Sequence, residues 1–284
     1  MIPVSFYYIS EPKPRAVDRD VTLTPNLTGR FDVPKVSFAQ YRRSVWALLR
    51  SKAMFYCLLY QFLTPLVGSI FTTAGPEVKQ HWAGVKALQN AMFSLVGLVL
   101  FTAGLALVKK KLLHKSWRAM TLVTAIFLNV VDMPFSFCTI FDVVRNQYFY
   151  LGETVLTEIP AAVNFVVSTF VIVEMADGGD EGVVYGLLTT TYNVGQPFAQ
   201  ALSNQIFGLF SPDLSDSANY VRDSRAFRKT VAWSFALSYG FTFLSCLTLP
   251  LLPSQKAEAQ ARKRTWERRD AYAYASVGLV AVGL

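Results

Sequence analysis

Residues 87–108 read ALQNAMFSLVGLVLFTAGLALV, an uninterrupted run of 22 residues that contains no charged side chain. An α-helix of about 20 mostly apolar residues is long enough to cross the roughly 30 Å hydrocarbon core of a bilayer. Similar charge-free runs lie at 53–76, 182–212 and 230–255. The core of a soluble protein of this size does not need several runs of this length. The sequence therefore predicts an integral membrane protein that is embedded in the lipid bilayer.

The composition points to the same class. Apolar residues make up 52% of the 284 residues, and charged residues make up 16%, below the roughly 25% of a soluble domain. The net charge of +8 would indicate nucleic-acid binding if the basic residues shared one folded surface. They form short clusters between the uncharged runs instead, so we expect no nucleic-acid partner.

Two further apolar regions complete the set of predicted spans. One covers 119–141 and is interrupted only by Asp132, and the other covers 159–173, between Glu158 and Glu174. The predicted fold is all-α, a multi-pass bundle of six transmembrane helices. The helices are expected near 53–74, 88–108, 119–142, 155–176, 182–208 and 230–252.

The distribution of Lys and Arg predicts the orientation, because cytoplasmic loops carry the excess of basic residues. One side, which includes both termini, holds 20 of the 27 basic residues, and the other side holds seven. Both termini are therefore expected to be cytoplasmic. The predicted domains are a cytoplasmic arm at 1–52, the six-helix bundle at 53–252, and a basic cytoplasmic tail at 253–284 that contains a short apolar segment.

Cysteine and histidine usage argues against enzyme chemistry. Cys57, Cys138 and Cys246 each lie alone within a predicted span, and His81 and His114 lie on opposite sides of the membrane. The sequence contains neither metal-ligand spacing nor a phosphate-binding loop motif. We therefore expect no catalytic residues, no metal ion and no cofactor.

Polar side chains in the fifth predicted span form a stripe. At about 100° per residue, they fall within roughly a third of the helix circumference. The stripe consists of Tyr185, Thr189, Tyr192, Asn193, Gln196, Gln200, Ser203 and Asn204. Hydrocarbon cannot satisfy amides, so the stripe must face water, a solute or polar groups of other helices. Single Ser or Thr residues suffice for hydrogen bonds between helices, so we interpret the stripe as the lining of a solute-binding cavity.

Two carboxylates at membrane depth are further candidates. Asp132 shares a narrow stripe of the third span with Asn129, Ser136 and Thr139. It is either a structural partner of a neighbouring helix or a group that binds substrate or couples protons. Glu158 precedes a proline and is predicted to be a first-turn carboxylate near the outer surface.

Three further residues are candidates for the lining of the cavity. Tyr60 and Gln61 lie in the first predicted span, and Asn164 lies in the fourth. A tyrosine ring can stack on a flat solute, and amides can hydrogen-bond its edge.

A specific block of sequence resembles the folate-biopterin transporter family, in the form found in its oomycete branch. The block is Arg145-Asn-Gln-Tyr-Phe-Tyr-Leu-Gly-Glu153, followed by Glu158-Ile-Pro160. The resemblance continues through Asn164-Phe-Val-Val-Ser168, Val173-Glu-Met-Ala176 and Glu181-Gly-Val-Val-Tyr-Gly-Leu-Leu-Thr-Thr190. It covers about residues 40 to 270 and runs through loops as well as apolar helices.

The resemblance implies a major facilitator superfamily fold, which has two six-helix bundles. The six predicted spans would be the C-terminal bundle, and residues 1–52 would be the end of the preceding helix plus the central linker. In this fold the first, second, fourth and fifth spans of a bundle face the pathway. The third span lies outside, which would make Asp132 a buried partner rather than a substrate ligand.

The resemblance also implies a function. The chain would be a truncated secondary transporter of folate, pterin or a similar heterocyclic solute, with the missing N-terminal bundle or another chain as its partner. Proton coupling through a carboxylate stays open. No Lys or Arg lies within a predicted span, so Arg145 is the outer-loop candidate for an anionic solute. The alternative function is a non-transporting membrane scaffold or sensor that is derived from a transporter bundle.

Overall fold

The computed structural model describes residues 38–112, 114–176 and 181–281. Of the described residues, 83% are helical and none belongs to a strand, which confirms the all-α prediction. The chain divides into a short unit, Met1–Tyr41, and a main unit, Arg42–Leu284. Most of the predicted arm, including the segment expected to end a preceding helix, lies outside the described residues.

Eleven α-helices follow one another in the described part of the chain. They are α1 (Phe38–Leu49), α2 (Lys52–Gly68), α3 (Gly75–Glu77), α4 (Ala87–Leu107), α5 (Trp117–Ile140), α6 (Gln147–Met175), α7 (Glu181–Phe207), α8 (Ser217–Arg222), α9 (Arg225–Ser245), α10 (Lys256–Thr265) and α11 (Asp270–Ala281). A π-helical turn extends α4 to Leu112, and a 3₁₀ segment extends α9 to Leu251.

Four of these segments are long and apolar enough to cross a membrane: Ala87–Leu112, Trp117–Ile140, Gln147–Met175 and Arg225–Leu251. They correspond to the second, third, fourth and sixth predicted spans, and they identify a membrane protein with transmembrane helices. The first and fifth predicted spans also form helices. However, α2 has only 17 residues, and α7 carries the polar stripe. A six-span bundle therefore stays a prediction for α2 and α7.

The fourth predicted span begins in a different place from the one expected. The helix α6 starts at Gln147, ahead of the predicted start at 155. The side chain of Asn146 supports this start, because it accepts a hydrogen bond of 2.8 Å from the backbone N–H of Tyr148. Glu158 therefore lies well inside the helix, and its prediction as a first-turn carboxylate is wrong. Glu153, which lies ahead of the predicted span, is also inside the helix.

The long helices pack in two groups. In one group α6 packs along both α4 and α5, and in the other α2 packs along α7 and α9. A Cβ atom at Gly104 of α4 would lie 2.8 Å from the Cβ of Ala162, and one at Gly195 of α7 would lie 2.9 Å from the carbonyl oxygen of Phe62. These two glycines allow the paired helices to approach closely. Contacts of α5 with α9 and of α6 with α7 join the groups.

The predicted basic tail folds onto the bundle as α10 and α11. Glu258 of α10 accepts hydrogen bonds from Arg118 at 3.0 Å and from Arg262 at 2.5 Å. The apolar helix α11 packs against α2 and α7. Its buried residues include Ala273 and Ser276. The tail is therefore part of the packed structure on the side of the bundle that the sequence predicts to be cytoplasmic.

Candidate functional site

The polar stripe of α7 lies largely on the exposed surface of the helix. Tyr185 is 59% exposed and Tyr192 is 43% exposed. Asn193, Gln200 and Asn204 are also exposed, whereas Thr189 and Gln196 are half-buried. The buried residues of α7, which include one member of the stripe, Ser203, are Val184, Leu188, Thr191, Val194, Gly195, Ala199, Ser203 and Phe207. We call the surface formed by Tyr185, Tyr192, Asn193, Gln196, Gln200 and Asn204 the amide face.

Some polar groups of the stripe are hydrogen-bonded within the protein, whereas others can bind a ligand. The hydroxyl of Thr189 donates to the backbone oxygen of Tyr185 at 2.6 Å. Ser203 is buried, donates to the oxygen of Ala199 at 2.8 Å and accepts from the N–H of Phe71 at 3.1 Å. These two hydroxyls are therefore used inside the protein. Gln200 donates to Asn204 at 3.1 Å, which leaves the other polar atoms of that exposed pair for a ligand.

The candidates of the first span lie apart from this exposed surface. Tyr60 is 8% exposed and Gln61 is 6% exposed, so both are inside the packed bundle. One turn further, the hydroxyl of Thr64 forms a hydrogen bond of 2.7 Å with that of Thr248. The structure therefore does not present Tyr60 and Gln61 on the amide face.

Asn164 of the fourth span forms a contact between helices. Its side-chain oxygen accepts a hydrogen bond of 2.7 Å from the hydroxyl of Thr124 on α5. Thr124 is buried and Asn164 is half-buried. This pair is the kind of polar contact that holds transmembrane helices together.

Both carboxylate oxygens of Asp132 accept hydrogen bonds. The hydroxyl of Tyr239 on α9 donates to one at 2.5 Å, and the hydroxyl of Ser136 donates to the other at 3.1 Å. Asp132 therefore ties α5 to α9. Tyr239 was not recognised from the sequence as its partner, because the two residues are separated by 107 positions.

The other predicted carboxylate, Glu158, lies at the contact between α4 and α6. A Cβ atom at Gly97 would lie 3.0 Å from the Cγ of Glu158, so the glycine provides space for the glutamate side chain. One carboxylate that the sequence analysis missed, Glu153, accepts a weak hydrogen bond of 3.4 Å from Thr154. Its only signal in the sequence was its place at the end of the block Arg145–Glu153, on which the expected family resemblance was based.

Arg145 is held by partners within the chain. Its guanidinium donates to both oxygens of Asp223, at 2.7 and 3.1 Å, and lies 4.7 Å from the centre of the Trp82 ring. Burial alone would raise the pKa of Asp223, but Arg228 and Arg145 lower it from its ordinary value to about 2. The Arg145 cation is therefore neutralised locally rather than presented to an anionic solute.

Comparisons with protein-family models, with curated proteins and with solved structures found no match to this chain. Within the described residues, no group of three or more His, Cys, Asp and Glu side chains is placed to hold a metal ion.

Proposed function

We propose that the chain is one bundle of a membrane transporter for a small heterocyclic solute of the folate or pterin class. The amide face of α7 would form one wall of its polar pathway. A second bundle, either an N-terminal half or another chain, would form the opposite wall. The observation that carries the proposal is the exposure of this polar face on a helix that packs among transmembrane segments.

The contrast with α4 supports this interpretation. The exposed side chains of α4 include Leu88, Met92, Leu95, Leu98 and Val99, which suit contact with lipid. The exposed side chains of α7 include amides, each of which has both donors and acceptors. Hydrocarbon leaves such groups unsatisfied, at a cost of several kcal/mol per group. The exposed side of α4 therefore suits contact with lipid, whereas the exposed side of α7 suits contact with a polar pathway.

The chemistry of the amide face fits a flat heterocycle. A pterin ring presents donors and acceptors along one edge, and Asn193, Gln196 and Gln200 offer the complementary groups. Tyr185 and Tyr192 are exposed on the same helix, and their rings can stack on a planar solute. The charged end of a folate would need a cation from the second bundle, because Arg145 is already paired with Asp223.

Transport in liposomes tests the proposal. The chain would be reconstituted alone and joined to the N-terminal bundle of a full-length folate-biopterin transporter, and uptake of labelled folate and pterin would be measured. We expect uptake by the joined protein, and we expect Gln200→Leu to reduce it. Met92→Leu on the lipid-facing side of α4 is the matched control. A folded joined protein that binds and transports neither solute would overturn the proposal and favour the scaffold or sensor alternative.

A further inference from the structure

A cavity of about 480 Å³ opens where the end of α6 meets α10. It lies on the predicted cytoplasmic side, and its lining residues do not include those of the amide face. We call it the headgroup pocket and define it by Val173, Glu174, Gln260, Lys263, Arg264 and Arg268. Three of these six side chains are basic.

The pocket keeps a positive charge after its internal contacts are counted. Glu174 is neutralised by Lys256 at 2.6 Å and accepts a hydrogen bond from Gln260 at 3.1 Å. Lys263 donates to the carbonyl oxygen of Ala176 at 2.7 Å, at the end of α6. Arg264 and Arg268 are exposed, and neither guanidinium has an ion-pair partner among the residues that the structure describes. These two side chains are therefore available to an anion.

The backbone next to Arg268 is fixed against the start of α2. Ser51 and Arg268 form an antiparallel bridge. The N–H of Lys52 donates to the oxygen of Glu267 at 3.2 Å, and the N–H of Arg269 donates to the oxygen of Arg50 at 3.0 Å. This pairing holds one wall of the pocket in place before a ligand binds, which lowers the entropic cost of binding.

A line of exposed side chains runs along α6 towards this pocket. Phe165, Thr169 and Val173 are exposed at intervals of four residues, so they form one line along the helix. A second cavity, of about 380 Å³, lies between α4 and α6 and is lined by Leu105, Lys109, Phe165, Val166, Thr169 and Phe170. We call it the acyl groove. Its lining is apolar except for Thr169 and for Lys109 at its end.

We propose that the headgroup pocket and the acyl groove together bind one anionic phospholipid. Arg264 and Arg268 would contact the phosphate, because guanidinium groups bind phosphate oxygens in a bidentate manner. A fatty-acid chain would lie along Phe165 and Thr169. Basic pockets between helices on the cytoplasmic side of membrane proteins suit anionic lipid headgroups, which are enriched in that leaflet. A free phosphate would not contact the acyl groove, so the presence of both the pocket and the groove favours a lipid.

Native mass spectrometry of the delipidated chain in detergent tests the proposal. The probe is phosphatidylinositol phosphate, and phosphatidylcholine is the zwitterionic comparison. A third arm uses glycerophosphoinositol phosphate, which is the same headgroup without acyl chains. We expect the anionic lipid to bind, the zwitterionic lipid to bind more weakly, and the headgroup alone to bind at least about tenfold more weakly than the lipid.

Matched variants distinguish lipid binding in the pocket from attraction of the lipid to the positive charge of the surface in general. Replacing both arginines, Arg264→Gln with Arg268→Gln, should weaken binding of the anionic lipid by about tenfold or more. Arg269→Gln is the control, because Arg269 is an exposed neighbour that is paired with Glu267 at 2.6 Å and does not line the pocket. It should bind as the wild type does. If the double variant does not fold, the single variant Arg264→Gln replaces it in the test. Its loss of affinity for the anionic lipid should be smaller.

Two results would overturn the proposal. Equal binding of the anionic lipid by the wild type and the folded arginine variants would show that the pocket is not the site. Equal binding of the lipid and of the headgroup alone would show a soluble-phosphate site instead. Neither result depends on whether the chain transports a solute, so both can be separated from a failure of the proposed function.

Discussion

The hydroxyl of Tyr239 on α9 donates a hydrogen bond of 2.5 Å to the carboxylate of Asp132 on α5. Ser136 supplies a second donor to the same carboxylate, at 3.1 Å. A carboxylate in a transmembrane helix is costly unless it has partners, and here each oxygen has one. The contact joins one helix from each of the two packing groups, so its first consequence concerns the stability of the bundle.

We expect Asp132→Asn to lower thermal stability more than it lowers solute binding. The amide replaces one acceptor oxygen with a donor, so one of the two hydroxyls loses its acceptor, at a cost of about 1–3 kcal/mol. Tyr239→Phe should give a loss of similar size, and the double variant should lose less than the sum of the single variants. Melting temperatures in detergent measure these effects.

Tyr274→Phe provides the control for that comparison, because Tyr274 is 68% exposed and its change should alter stability little. If Asp132→Asn abolished binding or proton coupling in the joined protein while the melting temperature stayed the same, the structural role would be wrong. Asp132 would then become the best candidate for a coupling site.

The extent of the apolar helices could be predicted from the sequence because helices that contact lipid consist mainly of uncharged, apolar residues. The charge-free run at 87–108 differs from α4 by one residue at its end. The start of α6 could not be predicted in this way, because Glu153 interrupts the apolar pattern. The structure keeps this carboxylate inside the helix, next to the hydroxyl of Thr154.

The amide face was predictable from the same reasoning, since helical periodicity alone places Asn193, Gln196 and Gln200 on one side of α7. The role of Arg145 was not predictable, because it depends on contacts between distant parts of the chain. Its partner Asp223 is 78 residues away, and no local pattern indicates which carboxylate a loop arginine will meet. Burial of Tyr60 and Gln61 likewise depends on how α2 packs.

The ion pair of Arg145 and Asp223 should make stability depend on pH. The pKa of Asp223 is lowered to about 2, whereas an aspartate in an unfolded chain has a pKa of about 3.9. Because the folded-state pKa is the lower one, the ionised carboxylate stabilises the fold above about pH 4, and this contribution is lost as the pH falls towards about 2.

The variant Asp223→Asn tests this dependence. It should lower the melting temperature most at neutral pH, and its difference from the wild type should shrink as the pH falls through the acidic range. Asp213→Asn is a suitable control, because Asp213 accepts a hydrogen bond from the neighbouring N–H of Ser215 and is exposed. A difference between Asp223→Asn and the wild type that is the same at neutral and acidic pH would contradict the assignment.

The predicted orientation can be checked by labelling single cysteines with a membrane-impermeant reagent. The three native cysteines would first be replaced with Ala. Ser215→Cys and Ala257→Cys both place the thiol at an exposed position, on opposite sides of the bundle. We expect Ser215→Cys to react from outside intact cells, and Ala257→Cys to react only after the membrane is opened. The reverse pattern would invert the topology that the basic residues predict.

The amide face should contribute to solute binding without being required for folding. In the joined two-bundle protein, we expect Gln196→Leu to weaken binding of the transported solute by about 1–3 kcal/mol, because the leucine loses hydrogen bonds to the ligand. The melting temperature should stay close to that of the wild type, since Gln196 is half-buried and lies beside an exposed polar surface. Isothermal titration in detergent measures the affinity.

Gln205→Leu is the matched control on the same helix. Gln205 is exposed and lies nine residues beyond Gln196, on the opposite side of α7 at about 100° per residue. It lies on the same side as Phe198 and Leu202, away from the amide face. Gln205→Leu should therefore bind the solute as the wild type does. Equal affinities for the Gln196→Leu and Gln205→Leu variants would mean that the amide face does not line the pathway.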